Sequence, residues 1–202
     1  MVRERTFAEA LEHRRSYYSI SNDSPVQDEE IVHIIRTAVK YVPSAFNSQT
    51  TRVVLLLGDE HQKLWRIVKD QLEERLSGEQ YRQSEKKIDT SFSCGYGTIL
   101  FFEDRSIVEG LQKQFPTYHE NFPTWSQHTS AMHQLAIWTM LEDKGLGASL
   151  QHYNPLIDED VRSTWHLPET WQLIAQMPFG TPVAEPGGKE FDDLSERIKI
   201  FI

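Results

Sequence analysis

The residues best suited to chemistry crowd into one stretch, Pro43-Ser-Ala-Phe-Asn-Ser-Gln-Thr-Thr-Arg52. The hydroxyls of Ser44 and Ser48 and the amides of Asn47 and Gln49 read both donors and acceptors, as on the edge of a heteroaromatic ring. The stretch opens directly into the apolar run Val53-Val-Leu-Leu-Leu57, a strand pattern that would hold it rigid. The same residues would equally make a polar helix-to-strand linker. A second group is His13-Arg-Arg-Ser-Tyr-Tyr18. Arg14 and Arg15 carry planar forks of donors that match a phosphate or carboxylate, with the Ser16 hydroxyl beside them. Their alternative is a basic helix end that complements the helix dipole. A third group is Gly180-Thr-Pro-Val-Ala-Glu-Pro-Gly-Gly-Lys-Glu-Phe191. Pro and Gly force an extended, irregular path on which Lys189 would either meet a phosphate or lie on a loose surface tail.

The elements around these groups follow from periodicity. Phe7, Ala8 and Leu11 give a short helical pattern before Arg14. Asp28-Glu29-Glu30 start a second helix, whose apolar face is Ile31, Ile34, Ile35, Ala38 and Val42, and Pro43 ends it. Arg52–Leu57 reads as a strand and Gly58-Asp59 as a turn; Leu64, Trp65, Val68, Leu72 and Leu76 form the next helical face. The polar segment 77–93 takes no assignment. Thr98–Phe102 reads as a buried strand, and a long helix is expected from about Trp125 to Lys144, with Leu135, Trp138 and Leu141 inside and Gly145 as its stop. A short strand at Ala148–Gln151, a helix at Asp158–Trp165 and a strand at Trp171–Met177 follow, with a further strand expected at Ile198–Ile202. Strands separated by helices imply a mixed sheet with helices packed on it.

Composition narrows the function. The 202 residues are 39% hydrophobic, enough for the core of one domain spanning 1–202. Lys and Arg total 21 against 30 Asp and Glu, a net charge of −9 that argues against nucleic acid, since phosphate-backbone binding needs a basic face. Apolar runs fall short of the roughly 20 residues of a membrane helix, and the charged start Arg3, Glu4, Arg5 is unlike a signal segment. The single cysteine, Cys94, excludes an internal disulfide and fits a reducing cytoplasm. No Gly-x-Gly-x-x-Gly follows a strand, and Gly95-Tyr-Gly97 lacks the length and the Lys of a phosphate loop. His128 and His133 are five apart, on different faces of a helix, which disfavours a metal. Tyr96, Phe115, Tyr118 and Trp125 are candidates for either a substrate pocket or core packing.

Taken in order, the Arg-Arg-Ser start, the Pro-Ser…Asn-Ser-Gln loop before a strand and the Gly-x-Pro…Lys tail resemble the nitroreductase family of flavin enzymes. Gly95-Tyr-Gly-Thr-Ile-Leu-Phe-Phe-Glu-Asp104, Phe115-Pro-Thr-Tyr118 with Trp125, and Gly145-Leu-Gly-Ala-Ser-Leu-Gln-His-Tyr-Asn-Pro155 resemble its Frm2-like branch of small fungal and bacterial members. The resemblance implies an α+β fold, with a mixed, mainly antiparallel sheet surrounded by helices and a C-terminal tail exchanged in a homodimer. It also implies an FMN enzyme that takes electrons from NADH or NADPH and reduces nitroaromatic, quinone or related acceptors. A flavin-binding sensor with incidental turnover is the alternative. By the same resemblance Arg14 and Ser16, with Arg15 beside them, match positions on the FMN phosphate or ribityl chain, and Lys189 matches a phosphate-contacting cation. Ser44, Asn47 and Gln49 match a loop that reaches the partner subunit's flavin. Leu150, Gln151 and His152 match the segment along the flavin N5 edge. Gln83 and Lys86, or Lys87 in its place, fall near ring-contacting positions. Phe191 stands where a second basic tail residue is usual, and Tyr17 and Tyr18 stand where another basic residue is usual. The matched segments offer no obligatory catalytic acid, base or nucleophile; the flavin would carry the hydride chemistry.

Overall fold

A computed structural model describes residues 5–202; Arg3 and Glu4 of the charged start lie outside the described residues. In chain order its elements are α1 (Phe7–His13), β1 (Ile20–Ser21), α2 (Asp28–Tyr41), β2 (Thr51–Leu57), α3 (Gly58–Glu73), α4 (Gly78–Ser91), β3 (Gly97–Asp104), α5 (Arg105–Gln114), α6 (Asn121–Asp143), β4 (Gly147–Ala148), α7 (Asp158–Thr164), β5 (Trp171–Pro182) and α8 (Leu194–Arg197). The five strands form one antiparallel sheet in the order β1-β5-β3-β2, with β4 also on β5. This is the expected α+β class.

β3 is buried along its whole length, and its alternation feeds two cores. Ile99 and Phe101 pack with Ile31 and Ile34 of α2 and Ile137 and Leu141 of α6, while Leu100 and Phe102 pack with Leu64, Trp65 and Val68 of α3 and Val161 of α7. Successive side chains on a strand point to opposite faces, so one strand seeds both layers. The pairing of β3 with β5 shifts between Phe101 and Phe102, where Ala175 and then Leu173 are the partners. This bulge moves Leu173 to the face opposite Ala175 and Met177.

One unassigned segment gains a helix, and three expectations need correction. The segment 77–93 contains α4, a polar helix with a single buried residue, Ile88, started by a Ser77–Gln80 capping box. Gly58 and Asp59 open α3 instead of standing apart as a turn. Leu141 is buried and Trp138 half-buried, but Leu135 is 42% exposed, because the inner face of α6 runs through Ser130, His133, Gln134 and Ile137. The residues Ile198–Ile202 form no strand and are exposed.

Candidate functional site

The first and third sequence groups meet. α1 begins with a reciprocal cap between Thr6 and Glu9 and ends at Arg14, after which the chain joins the sheet: Ser16 bridges Ala148, and the Tyr17 N–H donates to the Ala148 carbonyl at 2.9 Å. The tail crosses the same place, with the Val183 N–H on the Ser19 carbonyl at 3.0 Å and an Arg15 N–H on the Gly187 carbonyl at 2.7 Å. Between them lies an open cavity of about 530 Å³, whose lining includes Arg14, Arg15, Ser16, Glu185 and Lys189.

The electrostatics of the cavity are set from below. The Arg14 guanidinium stacks on the Trp138 ring, 4.4 Å from its centroid, and its buried Nε has no hydrogen-bond partner among the described residues. Burial lowers the Arg14 pKa, opposed by the nearby Glu142 carboxylate. Glu142 is itself pushed upward by burial and is held by His13 Nδ1 at 2.6 Å and by Arg5 at 3.7 Å. The Tyr17 phenol is pushed up to about 12 by burial, then by Glu142 and Glu185, and it donates to Glu185 at 3.3 Å. Lys189 is exposed, with its ammonium 4.9 Å from the centre of the Phe191 ring.

The segment with Leu150, Gln151 and His152 continues from the Ala148 bridge. Gln151 exchanges both main-chain hydrogen bonds with Gln176, at 2.7 and 2.9 Å, and its side chain donates to Ser149. The fully buried Gln176 side chain accepts from the Tyr153 N–H and donates to Asn154, which fixes the path beyond Gln151. Leu150 packs on the α2–α6 core, and His152 is exposed. On α4, Gln83 and Lys86 are exposed and Gln83 donates to Glu79; Lys87 places its ammonium 5.7 Å from the Phe92 ring, which lies 6.3 Å from Tyr18 at the cavity. The sequence placed Trp138 in the core without its role under Arg14, and Gln176 was passed over. A core-facing Trp under an Arg and a Gln inside an apolar strand were the available signals.

Ser44, Asn47 and Gln49 do not line the Arg14 cavity. Their loop is compact and strained: Phe46, Asn47 and Gln49 all have positive φ, at 58°, 51° and 48°. Left-handed backbone is costly for residues with a Cβ, by about 1–2 kcal/mol. The Gln49 N–H donates to Ser44 Oγ at 3.0 Å and the Asn47 N–H to the Ser44 carbonyl at 3.0 Å. Phe46 packs on an aromatic group, stacked on Trp125 at 5.9 Å and close to Phe115, Tyr118 and Phe122 at 5.0–5.7 Å. Tyr96 stands elsewhere, donating to Asp28 at 2.5 Å and packed on Phe179.

The residues at the cavity fit a terminal phosphate. Arg14 and Arg15 present two guanidiniums, Ser16 a hydroxyl and Lys189 an ammonium, and Arg14 Nε is a further donor without a partner among the described residues. The cavity is too small in cationic residues for a polyanion, and Glu185 at its rim opposes further negative charge.

The profile of the nitroreductase family matches residues 11–181. Two Saccharomyces cerevisiae proteins are similar in sequence: HBN1 is 34% identical over 97% of both chains, and the nitroreductase FRM2 is 33% identical over 92% of both. Among solved structures, nitroreductase CinD of Lactococcus lactis in complex with nicotinic acid superposes with a TM-score of 0.89 at 42% identity, covering 97% of this chain and 100% of its own. CinD has also been solved with chloramphenicol and with 4-nitrophenol. At 19% identity and a TM-score of 0.69, over 98% of this chain and 99% of the other, a Desulfovibrio desulfuricans protein solved in complex with FMN shares the fold.

Proposed function

This chain belongs to the nitroreductase family, and from that premise we propose that it is an FMN-dependent NAD(P)H oxidoreductase acting on nitroaromatic, quinone or related aromatic acceptors. The observation that carries the cofactor is the convergence of Arg14, Arg15 and Ser16 with Lys189 on one cavity. These four hold the phosphate end. Leu150, Gln151 and His152 lie along the ring edge through main-chain groups, and Gln83 and Lys86, or Lys87, approach the ring. FMN supplies hydride chemistry there, accepting from NADH or NADPH and passing on to the organic acceptor, so donor and acceptor use one space in turn. No side chain serves as an obligatory acid or base; His152 positions. The aromatic group of Phe46, Phe115, Tyr118 and Trp125 suits a planar acceptor.

The functional unit is a homodimer, in which Ser44, Asn47 and Gln49 complete the flavin site of the neighbouring subunit. Exposed Met132 and Leu135 on α6, and an exposed tail bearing Phe191, Leu194, Ile198, Ile200, Phe201 and Ile202, are apolar surface that such an assembly would cover. Each well-covered side chain would contribute about 1.5–3 kcal/mol. The net charge of −9 disfavours nucleic acid as a partner, and no described helix is long and apolar enough to cross a membrane. The lone Cys94 thiol suits the reducing cytoplasm.

The test begins with heat release and chromatography of the cofactor, which should yield FMN. Arg14→Ala should weaken FMN binding by about 1.5–3 kcal/mol, the worth of a hydrogen bond to a charged group. Recovery of FAD, or an unchanged FMN affinity in Arg14→Ala, would reject the phosphate assignment.

A further inference from the structure

The Phe-Phe-Glu-Asp end of β3 carries two carboxyls at consecutive positions, neither of which has a role so far. Neighbouring residues on a strand face opposite sides of the sheet. Glu103 therefore lies on the face of Phe101, under α6, and Asp104 on the other face. Both reach the chain segment that leaves the strained 44–49 loop.

On the α6 face, Glu103 pairs directly with Thr51 across the β2–β3 ladder, and the Thr51 hydroxyl lies 2.6 Å from Glu103 Oε1. His133 of α6 approaches the same hydroxyl at 3.3 Å, and its Nδ1 lies 2.8 Å from the Thr129 carbonyl. Glu103 is 0% exposed. On the opposite face, Arg52 uses its whole fork: one nitrogen donates to the carbonyls of Gln49, at 2.8 Å, and Thr51, at 3.1 Å, while the other donates to Asp104 at 3.2 Å. Asp104 is fixed in turn, accepting from the Ser106 N–H and hydroxyl, and its own N–H donates to the Thr50 carbonyl at 2.9 Å, one residue beyond the ladder. The loop thus ends in a grip from both sides of the sheet, immediately after the left-handed Gln49.

We propose that the Glu103–Asp104 pair, acting through Thr51 and Arg52, is the positioning device that sets the shape of the Ser44–Gln49 loop and so the fit of that loop on the flavin of the neighbouring subunit. The proposal rests on the cofactor reading above. A left-handed Gln49 has no glycine to ease it, so its conformation has to be imposed by contacts. Among the described residues, the Arg52 fork meets the Gln49 carbonyl and a carboxylate together. A lysine would keep the charge and lose that geometry.

The test uses the whole protein with FMN as the probe and three variants. In Arg52→Lys and Glu103→Leu, amide hydrogen exchange at Asn47, Ser48 and Gln49 should rise roughly tenfold or more, as expected for losing one charge-assisted contact. Exchange at Val53–Leu57 should not rise, which separates loosening of the loop from loss of the fold. FMN affinity should fall and the flavin absorption bands should shift. Glu103→Gln, which keeps an acceptor for Thr51, should do less damage than Glu103→Leu. Loop amides as protected in Arg52→Lys as in the unaltered chain would overturn the proposal. A loosened loop with unchanged FMN affinity and absorption would overturn the positioning role while leaving the cofactor reading intact. Failure of the unaltered protein to bind FMN would overturn both. Arg52→Lys carries the test alone if Glu103→Leu does not fold.

Discussion

At the scale of single residues, buried polar groups are where sequence and structure diverge most. His61 is enclosed between α3 and β3, with Nδ1 2.8 Å from the Thr98 hydroxyl and Nε2 3.2 Å from the Ser93 carbonyl. The Trp65 N–H donates to the same hydroxyl at 3.0 Å. Thr98 therefore gives its proton to a neutral imidazole, whose Nε2–H serves Ser93. Burial lowers the His61 pKa to about 4. The unfolded chain binds this proton near pH 6.5 and the folded chain only near 4, so the stabilisation is complete above pH 6.5 and is lost as pH falls through the window to 4. The loss amounts to about 3 kcal/mol. His61→Asn keeps an acceptor for Thr98 and removes the titration. Thermal melts from pH 7 to 4 should show a shallower acid decline for it than for the unaltered chain; parallel declines would mean that other groups, such as the buried His133, dominate. The available hint was spacing: His61 precedes Leu64, Trp65 and Val68 by three, four and seven residues and so falls on the same buried face of α3.

At the scale of elements, most of the architecture was legible, for physical reasons that can be named. β3 reads as an unbroken apolar run because both faces are covered. α2 reads correctly because acidic residues open it and Pro43 follows its end. α4 was missed because only Ile88 is buried on it, leaving no apolar stripe, although its Ser77–Gln80 cap was available as a signal. The bends of the 44–49 loop were invisible because left-handed positions are usually announced by glycine, and here Phe46, Asn47 and Gln49 occupy them. The convergence of Arg14 with the tail came from the family resemblance; periodicity alone does not bring residues 14 and 189 together. Glycines in β5 and α5 give a paired test. A Cβ at Gly180 would stand 2.1 Å from the Ser21 carbonyl oxygen, whereas one at Gly110 would meet nothing within 4 Å. Gly180→Ala should cost about 1–3 kcal/mol by forcing β1 off β5, and Gly110→Ala should stabilise α5 by roughly 0.5–1 kcal/mol. Denaturant midpoints moving in the same direction for both variants would contradict this.

At the scale of the whole molecule, the cavity of Arg14 and the loop of Gln49 are separate surfaces of one chain. The exposed apolar tail and the exposed side of α6 are surface that the proposed pairing of two chains would cover. If each complete site takes its cavity from one subunit and its loop from the other, the defects are divisible between genes. A chain carrying Arg14→Ala and a chain carrying Gln49→Ala would each form only damaged sites by itself. Expressed together, they would assemble mixed pairs in which one site inherits both lesions and the other inherits none. Co-expression should therefore raise flavin binding and nitroaromatic reduction above the level of either variant alone, and activity no greater than that of the two separate variants would confine each site to a single chain. Two defective alleles of this gene would then rescue one another.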